Sequence, residues 1–502
     1  MNSSNIRRHS IISSIIIYFG FAIGVINTYF FAKEGLFTKE EYGLYGLFIA
    51  VASVMASFAN LAMPSFIYKF YPYYNDNLPP KKNDMLSLSL FISIIGFIVV
   101  LAGGIFFQDL VIRKYGENSQ LFVNYYYWIF PLSLGLTLYN VLEAYTWNLH
   151  KSIVTNFVKE VEWRFIITIL IVLFIFRILP DYSWFVKGFS FSYLAIAFTL
   201  LVYLLYTRKV HFIFSLSKVT LRFKKNIYRF CSFIFGANVI FAITQAFDTI
   251  VIASVLPDGL GKAAIYTLVQ YFSSVVQAPQ RSIIAASIPH LAQSWKDKKI
   301  DNIQRIYRRS SINLLIFSCI IFVLIAANFT DAIKTIPLNQ DYLAGFIVFI
   351  LLGITKIIDM GTGVNGQIIG TSRYWKFELT SGIILLLFML PLNYFLTKKM
   401  DIMGTALAGL IYMTIYNFIR ILFLWQKFRL FPFTSKSVYT ILLTISVYFF
   451  AFYFFNNMNG WLAMVIRSVV IVALFASGVV ILKLTPDLRP VLQTILKRLG
   501  KK

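Results

Sequence analysis

The chain has 502 residues, 58% of them hydrophobic and 13% charged, with a mean hydropathy of +0.72 and a formal net charge of +25. Soluble globular proteins carry roughly 25% charged residues, so this composition excludes that class and indicates an integral membrane protein. The 51 phenylalanines and 30 tyrosines suit lipid contact and interfacial aromatic belts.

A helix needs about 20 apolar residues to cross the hydrocarbon core. Fourteen such runs are found, near residues 10–32, 42–63, 86–107, 119–142, 153–176, 183–206, 230–255, 263–286, 311–329, 342–370, 377–397, 402–425, 437–455 and 461–482. They are too long for barrel strands, so the expected fold is all-α and polytopic. The first span follows Arg7 and Arg8, as in a signal-peptide n-region, but offers no convincing cleavage site and is read as an uncleaved helix. It has no charged residue between Ser10 and Ala32, and the second and third spans are similarly bare.

The fifth span reads VTNFVKEVEWRFIITIL. Lys159 and Glu162 stand three apart, Glu160 and Arg164 four apart, and both spacings let side chains meet on a helix. Two readings stay open: internal ion pairs, or an Arg164, with Lys159, that faces a polar interior and is available for bidentate contact. The seventh span carries one acid, Asp248, in ITQAFDTIVIASVL. Read by itself it is a structural acid, hydrogen-bonded or paired with Lys356 or Arg467.

The tenth span, GFIVFILLGITKIIDM, continues into GTGVNGQIIGTSRYWK. At 3.6 residues per turn, Lys356, Asp359, Gly363, Gly366, Gln367 and Gly370 fall within about 100° of arc if the helix is continuous to residue 370, while Asn365 points away. Such a stripe must face protein or water rather than lipid. It is either a packing seam, with Gly366 and Gly370 at small-residue spacing and a Lys356–Asp359 pair, or a cavity wall whose glycines allow bending. In the second case Lys356 and Gln367 are available to substrate, Asp359 is an ion-coupling candidate, and Arg373 lies at the cytoplasmic mouth. In the last span, Arg467 is expected to snorkel or to pair.

Lysines and arginines divide about three to one between alternate sets of loops, the positive-inside signature. This places both termini in the cytoplasm and argues against a nucleic-acid partner. The richest loops, 207–229 and 281–309, mark the side facing anionic headgroups or an anionic substrate. Loops of about 30 residues or fewer leave no room for a soluble catalytic domain, and Gly259-Leu-Gly261-Lys262 lacks phosphate-loop spacing. His9, His150, His211 and His290 show no metal-ligand spacing, and Cys231 and Cys319 fall in or beside spans.

The loop 207–229 separates two sets of six spans, so a repeat would be parallel. FTKEEYGLYGLF, before the second span, aligns with GLGKAAIYTLVQ, before the eighth. The expected organisation is a six-helix lobe over 1–212, a second over 213–434, and an appended pair with a basic tail over 435–502.

FTKEEYGLYG, FDTIVIASVL ahead of AAIYTLVQ, and GVNGQIIGTSRYW together resemble the O-antigen-type oligosaccharide flippases of the multidrug and polysaccharide exporter superfamily. The resemblance implies a bacterial inner-membrane carrier with two lobes around a central cavity. It would move polyprenyl-diphosphate-linked glycan to the outer leaflet by alternating access, without a cofactor, coupled to protons, sodium or the substrate gradient. The resemblance implies that Arg164, with Lys159, neutralises the diphosphate and that Asp248, the acid at the matching point of the second lobe's first helix, serves ion coupling. Membrane lipids and polysaccharide polymerase machinery are its implied partners. Lipid II flippases of the superfamily place arginines in their first helices, which this chain lacks. Multidrug exporters, usually of 12 helices, are the nearest alternative, and a membrane-embedded polymerase or glycosyltransferase is a more distant one.

Overall fold

The computed structural model describes residues 3–149, 151–208, 210–213, 215–277, 280–455 and 458–485. His150 and Lys209 lie outside the described residues, as does the basic tail from residue 486. The chain is all-α and divides into two compact units, Met1–Ala264 and Ile265–Lys502. By length and apolarity alone, nine helices among the described residues qualify as membrane spans, and one of them contains two of the predicted spans.

The first unit opens with α1 (Ser3–Ala32), α2 (Lys39–Ala59) and α3 (Met63–Asn77), followed by α4 (Met85–Phe106), α5 (Gln108–Tyr115), α6 (Gln120–Asn124) and α7 (Ile129–Asn148). It continues through α8 (Ser152–Asn156), α9 (Trp163–Ile175), α10 (Tyr182–Tyr206) and α11 (Lys218–Val255). The FTKEEYGLYG motif begins α2 with a capping box: Thr38 Oγ1 accepts from the Glu41 amide and the Glu41 carboxylate accepts from the Thr38 amide. Gly43 is required by a close approach, since a Cβ there would lie 1.9 Å from the Leu260 carbonyl oxygen. The two aligned repeat segments therefore touch backbone to backbone at Gly43 and Leu260.

An aromatic cluster of Phe31, Phe37, Tyr42, Phe174, Tyr182 and Phe185 fills this end of the unit. The helix α11, which the repeat assigns to the second lobe, is bonded at both ends within the first unit. At its start Asp84 Oδ2 accepts from the Ser217 amide and from Thr220 Oγ1, both at 2.8 Å. At its end Ser119 Oγ donates to the Ala253 carbonyl at 2.6 Å.

The second unit holds the rest of α12 (Gly259–Gln277), then α13 (Gln280–Lys296), α14 (Ile300–Thr335), α15 (Gly345–Gly361) and α16 (Asn365–Thr371). It ends with α17 (Trp375–Phe428), α18 (Ser435–Phe455) and α19 (Trp461–Ile481). Within α17, Met400 and Asp401 leave helical geometry and the chain folds back, so Thr397 Oγ1 meets Thr405 Oγ1 at 2.7 Å. The predicted eleventh and twelfth spans are the two arms of this hairpin.

Several boundaries differ from the apolar runs, because hydropathy registers the greasy part of a helix and neither its polar extensions nor its breaks. The fourth span begins at Ile129 rather than near 119, and the loop after the second span contains α3. The basic loop 281–309 shrinks to residues 297–299 because α13 and α14 carry their charges on helical extensions. The eighth run, 263–286, is divided between α12 and α13. The tenth span is broken at residues 362–364, so the continuous helix expected to residue 370 does not form.

The helix α14 is the hub of the second unit. Leu315, Cys319 and Val323 on it pack with Val447 and Ala451 of α18 and Ile471 and Phe475 of α19. Three polar sutures run along the same seam. Thr485 Oγ1 donates to Asn313 Oδ1 at 2.6 Å, Asn328 Nδ2 to Ser468 Oγ at 3.2 Å, and Arg467 pairs with Asp331 at 2.6 Å. Arg467 also donates to the Ala327, Phe455 and Met458 carbonyls. Of the two expectations for Arg467, pairing holds and snorkelling does not, because Asp331 reaches it inside the seam.

Removing one partner of a buried pair costs about 3–5 kcal/mol, whereas replacing both with apolar side chains is close to neutral. Arg467→Met is expected to lower the thermal stability of the purified full chain strongly, and Arg467→Met with Asp331→Leu to recover most of the loss. A double variant no more stable than the single one would show that the pair does not anchor α19.

Candidate functional site

Each unit also gathers charged and polar groups around one of the sequence-predicted sites. In the first unit the cluster forms where α9 is entered. Residues Phe157–Glu162 are π-helical, with hydrogen bonds running i→i+5, and the widened turn takes residues three apart off a common face. Lys159 consequently does not pair with Glu162. Its Nζ lies 3.4 Å from Glu143 Oε1 on α7, while Glu162 accepts from Thr199 Oγ1 at 2.7 Å.

Glu160 lies within the π segment and Arg164 just beyond it, and the two pair at 3.0 Å as the sequence suggests, because residues four apart stay on one face in either kind of turn. The Arg164 guanidinium also lies over the Phe21 ring of α1, at 5.2 Å. Its Nη1 is buried with no hydrogen-bond partner among the described residues. Asn27 of α1 donates to the Arg164 carbonyl at 2.8 Å and accepts from Thr168, fixing the helix against α1. The cluster thus holds two cations and two carboxylates in pairs, with one guanidinium nitrogen left uncommitted.

The second unit's cluster is built by the break in the tenth span. Gly363 has φ +67°, and a Cβ on it would lie 2.8 Å from Ser310 Oγ and 2.9 Å from the Ser311 amide nitrogen. Only glycine fits both the left-handed backbone and the contact with α14. Ser311 Oγ donates to the Gly361 carbonyl, satisfying an acceptor at the end of α15. The break resets the angular phase of the helix, which corrects the expectation for Asn365. Instead of pointing away, it is buried and donates to Thr362 Oγ1 at 3.1 Å and Asn417 Oδ1 at 2.9 Å.

Asn417 in turn donates to Asp359 Oδ1 at 3.3 Å. Gln277 and Gln280 donate to Asp359 Oδ2 at 3.3 and 3.1 Å. The carboxylate therefore accepts from three carboxamides on α12, α13 and α17. Around it opens a cavity of about 480 Å³ lined by Asp359, Gly363, Gly366, Gln367, Gly370, Glu378 and Arg420, among others.

Glu378 and Arg420 face each other across the α17 hairpin and form an ion pair. Arg420 Nη2 donates to Tyr416 Oη at 2.7 Å, and its guanidinium stacks 3.8 Å from the Tyr416 ring centre. A Cβ on Gly366 would stand 3.2 Å from Glu378 Oε1, so this glycine makes room for the pair. Gly370 has nothing within 4 Å of a built Cβ. It is not a packing glycine, because it faces the open cavity.

The structure thus gathers Asp359, Gly363, Gly366, Gln367 and Gly370 at one cavity, while Lys356 is half-buried one turn earlier on α15 and has an interaction partner. Arg373 is exposed and stacks on Tyr374 at 4.9 Å. Asp248 is half-buried on α11 of the first unit and also has a partner. Sequence reasoning missed Glu378, Arg420, Gln280 and Asn417. Glu378 and Arg420 do carry a signal, because they stand at nearly equal distances on either side of the Met400–Asp401 reversal.

No protein-family profile matches the sequence, and no curated protein matches it. Solved structures do. The lipid II flippase MurJ in its inward closed conformation aligns with a TM-score of 0.72 and 16% identity, over 93% of this chain and 98% of that chain. A multidrug resistance MATE family transporter of the MOP superfamily, inward-facing, gives 0.65 and 13%, over 84% and 98%. A MATE in the bent conformation gives 0.55 and 14%, over 84% and 95%. The chain has the fold these transporters share.

Two substitutions test the geometry. Lys159→Met is expected to couple with Glu143→Gln by about 0.5 kcal/mol or more in a double-mutant stability cycle and to be additive with Glu162→Gln; the reverse pattern would restore the α-helical pairing. Gly363→Ala is expected to cost about 1–3 kcal/mol from backbone strain and overpacking, measured by thermal unfolding. Gly370→Ala should stay within about 0.5 kcal/mol, and equal losses at both sites would remove the distinction.

Proposed function

We propose that this chain is a secondary transporter of the flippase type, moving a polyprenyl-diphosphate-linked oligosaccharide from the cytoplasmic to the outer leaflet of a bacterial inner membrane by alternating access. The observation that carries the reading is the extent of the likeness to MurJ. It spans 93% of this chain, against 84% for the MATE transporter. The difference corresponds to about 45 of the 502 residues, near the length of α18 and α19 together. A flippase-like body with the extra helix pair accounts for the chain better than a 12-helix exporter.

Physical chemistry supports the same assignment. A diphosphate and a glycan cannot cross hydrocarbon unaided, whereas a prenyl tail can remain in lipid while the head passes through a polar interior. In this reading Arg164 and Lys159 leave Glu160 and Glu143 to meet the diphosphate, with Lys356 and Arg373 assisting along its path. The uncommitted Nη1 of Arg164 is the feature that favours its role. At 16% identity the MurJ likeness concerns the fold and does not select lipid II as the substrate. The first span, bare of charge between Ser10 and Ala32, favours a surface-polysaccharide precursor.

A multidrug-type exporter is the second reading. It is favoured by Asp359, a carboxylate among carboxamides that suits a cation, and by the MATE likenesses. In either reading Asp248 and Asp359 are the groups on which proton or sodium coupling would act.

Expression in a strain lacking its own glycan flippase is expected to restore surface glycan. Arg164→Ala or Lys356→Ala, at normal expression, should lower restoration by about tenfold or more, the usual scale for loss of a charge-assisted phosphate contact. Full restoration by both variants would remove their substrate role. Transport in proteoliposomes that ignores imposed proton and sodium gradients would remove coupling through Asp248.

A further inference from the structure

We propose that the cavity beside Asp359 in the second unit is a sugar-recognition subsite that reads the glycan head and excludes the diphosphate. This rests on the flippase reading and narrows it. The charge balance comes first. Among the described lining residues stand two carboxylates, Asp359 and Glu378, and one guanidinium, Arg420. Arg420 is already committed, through Nε and Nη2, to Glu378 and Tyr416. An approaching diphosphate would therefore meet a lining with two carboxylates to one guanidinium, at close range in a medium less screening than water, an unfavourable juxtaposition.

Hydroxyl groups meet the opposite situation. A sugar hydroxyl donates to a carboxylate and accepts from a carboxamide, and both kinds of group converge here. Asp359 and Glu378 accept, whereas Gln280 and Gln367 both donate and accept. Asp359 is held by the amides of Gln277, Gln280 and Asn417 from three helices, so its position is fixed before a ligand arrives. Each of those amide hydrogen bonds is exchangeable for one from a hydroxyl.

Shape agrees with this chemistry. The volume of about 480 Å³ falls in the range of roughly 300–1,000 Å³ typical of small-molecule sites. Gly370 presents backbone with open space where a side chain would stand, so the wall admits a ring. The stripe that the sequence suggests for phosphate contact thus serves, in its second half, the other end of the substrate.

The test compares two probes, undecaprenyl diphosphate and the same lipid bearing one N-acetylglucosamine, on the purified full chain in a detergent without a sugar headgroup. The readout is the ratio of their dissociation constants. Wild type is expected to prefer the sugar-bearing lipid by about tenfold or more, since a site of hydrogen-bonding groups discriminates against the analogue that lacks the hydroxyls. Gln367→Ala, which removes a recognising group, and Gly370→Trp, which fills the cavity, are expected to bring the ratio to within about twofold of unity. The melting temperature is recorded for each variant to confirm folding. A wild-type ratio near unity, or a ratio that neither variant moves, overturns the subsite and leaves the flippase reading in place. Failure of wild type to bind either lipid overturns both.

Discussion

The structure depends on neutralising guanidinium groups inside an apolar body. A lone arginine at the centre of a bilayer costs about 2.5–3.5 kcal/mol on insertion scales, and Arg164, Arg420 and Arg467 each meet a carboxylate: Glu160, Glu378 and Asp331. The three pairs are made in different ways. The first is local along one helix, the second crosses the α17 hairpin, and the third ties the last helix to α14. Each fixes the register of the elements it joins, so the charges that make the chain costly to insert also specify how it packs.

The difference among the pairs explains what was legible in the sequence. The Glu160–Arg164 pair could be read directly, because i, i+4 spacing is a property of the helix itself. Arg467 could be recognised as needing a partner, but not which one, since Asp331 stands 136 positions earlier and nothing local connects them. Arg420 falls inside the predicted twelfth span, but its partner Glu378 stands 42 positions earlier and is brought to it only by the hairpin reversal. The all-α fold and the helical spans needed only hydrophobic length, and they follow from it directly.

The tenth span shows a subtler limit. A count at 3.6 residues per turn collected Asp359, Gly363, Gly366, Gln367 and Gly370 on one face, and all five do line one cavity. They do so across a break that the count did not allow for. Asn365 exposes the error, since an unbroken helix would have turned it away from the network it completes with Thr362 and Asn417. The left-handed turn at Gly363 is therefore the element that makes a site out of a stripe. It interrupts the backbone ladder, so the carbonyls set free must find partners in protein, and Ser311 supplies one to Gly361.

The π-helical stretch over Phe157–Glu162 has a genetic consequence. A π turn holds one residue more than the α-helical turn it replaces, so its presence is equivalent to a single-codon insertion that the surrounding fold has absorbed. Which acid Lys159 meets is then a matter of chain length rather than of side-chain identity. Relatives one residue shorter here would be expected to pair the lysine along its own helix and leave Glu143 to other company. Alignment of this segment by residue type alone would hide that difference, whereas a gap placed inside it would carry structural meaning.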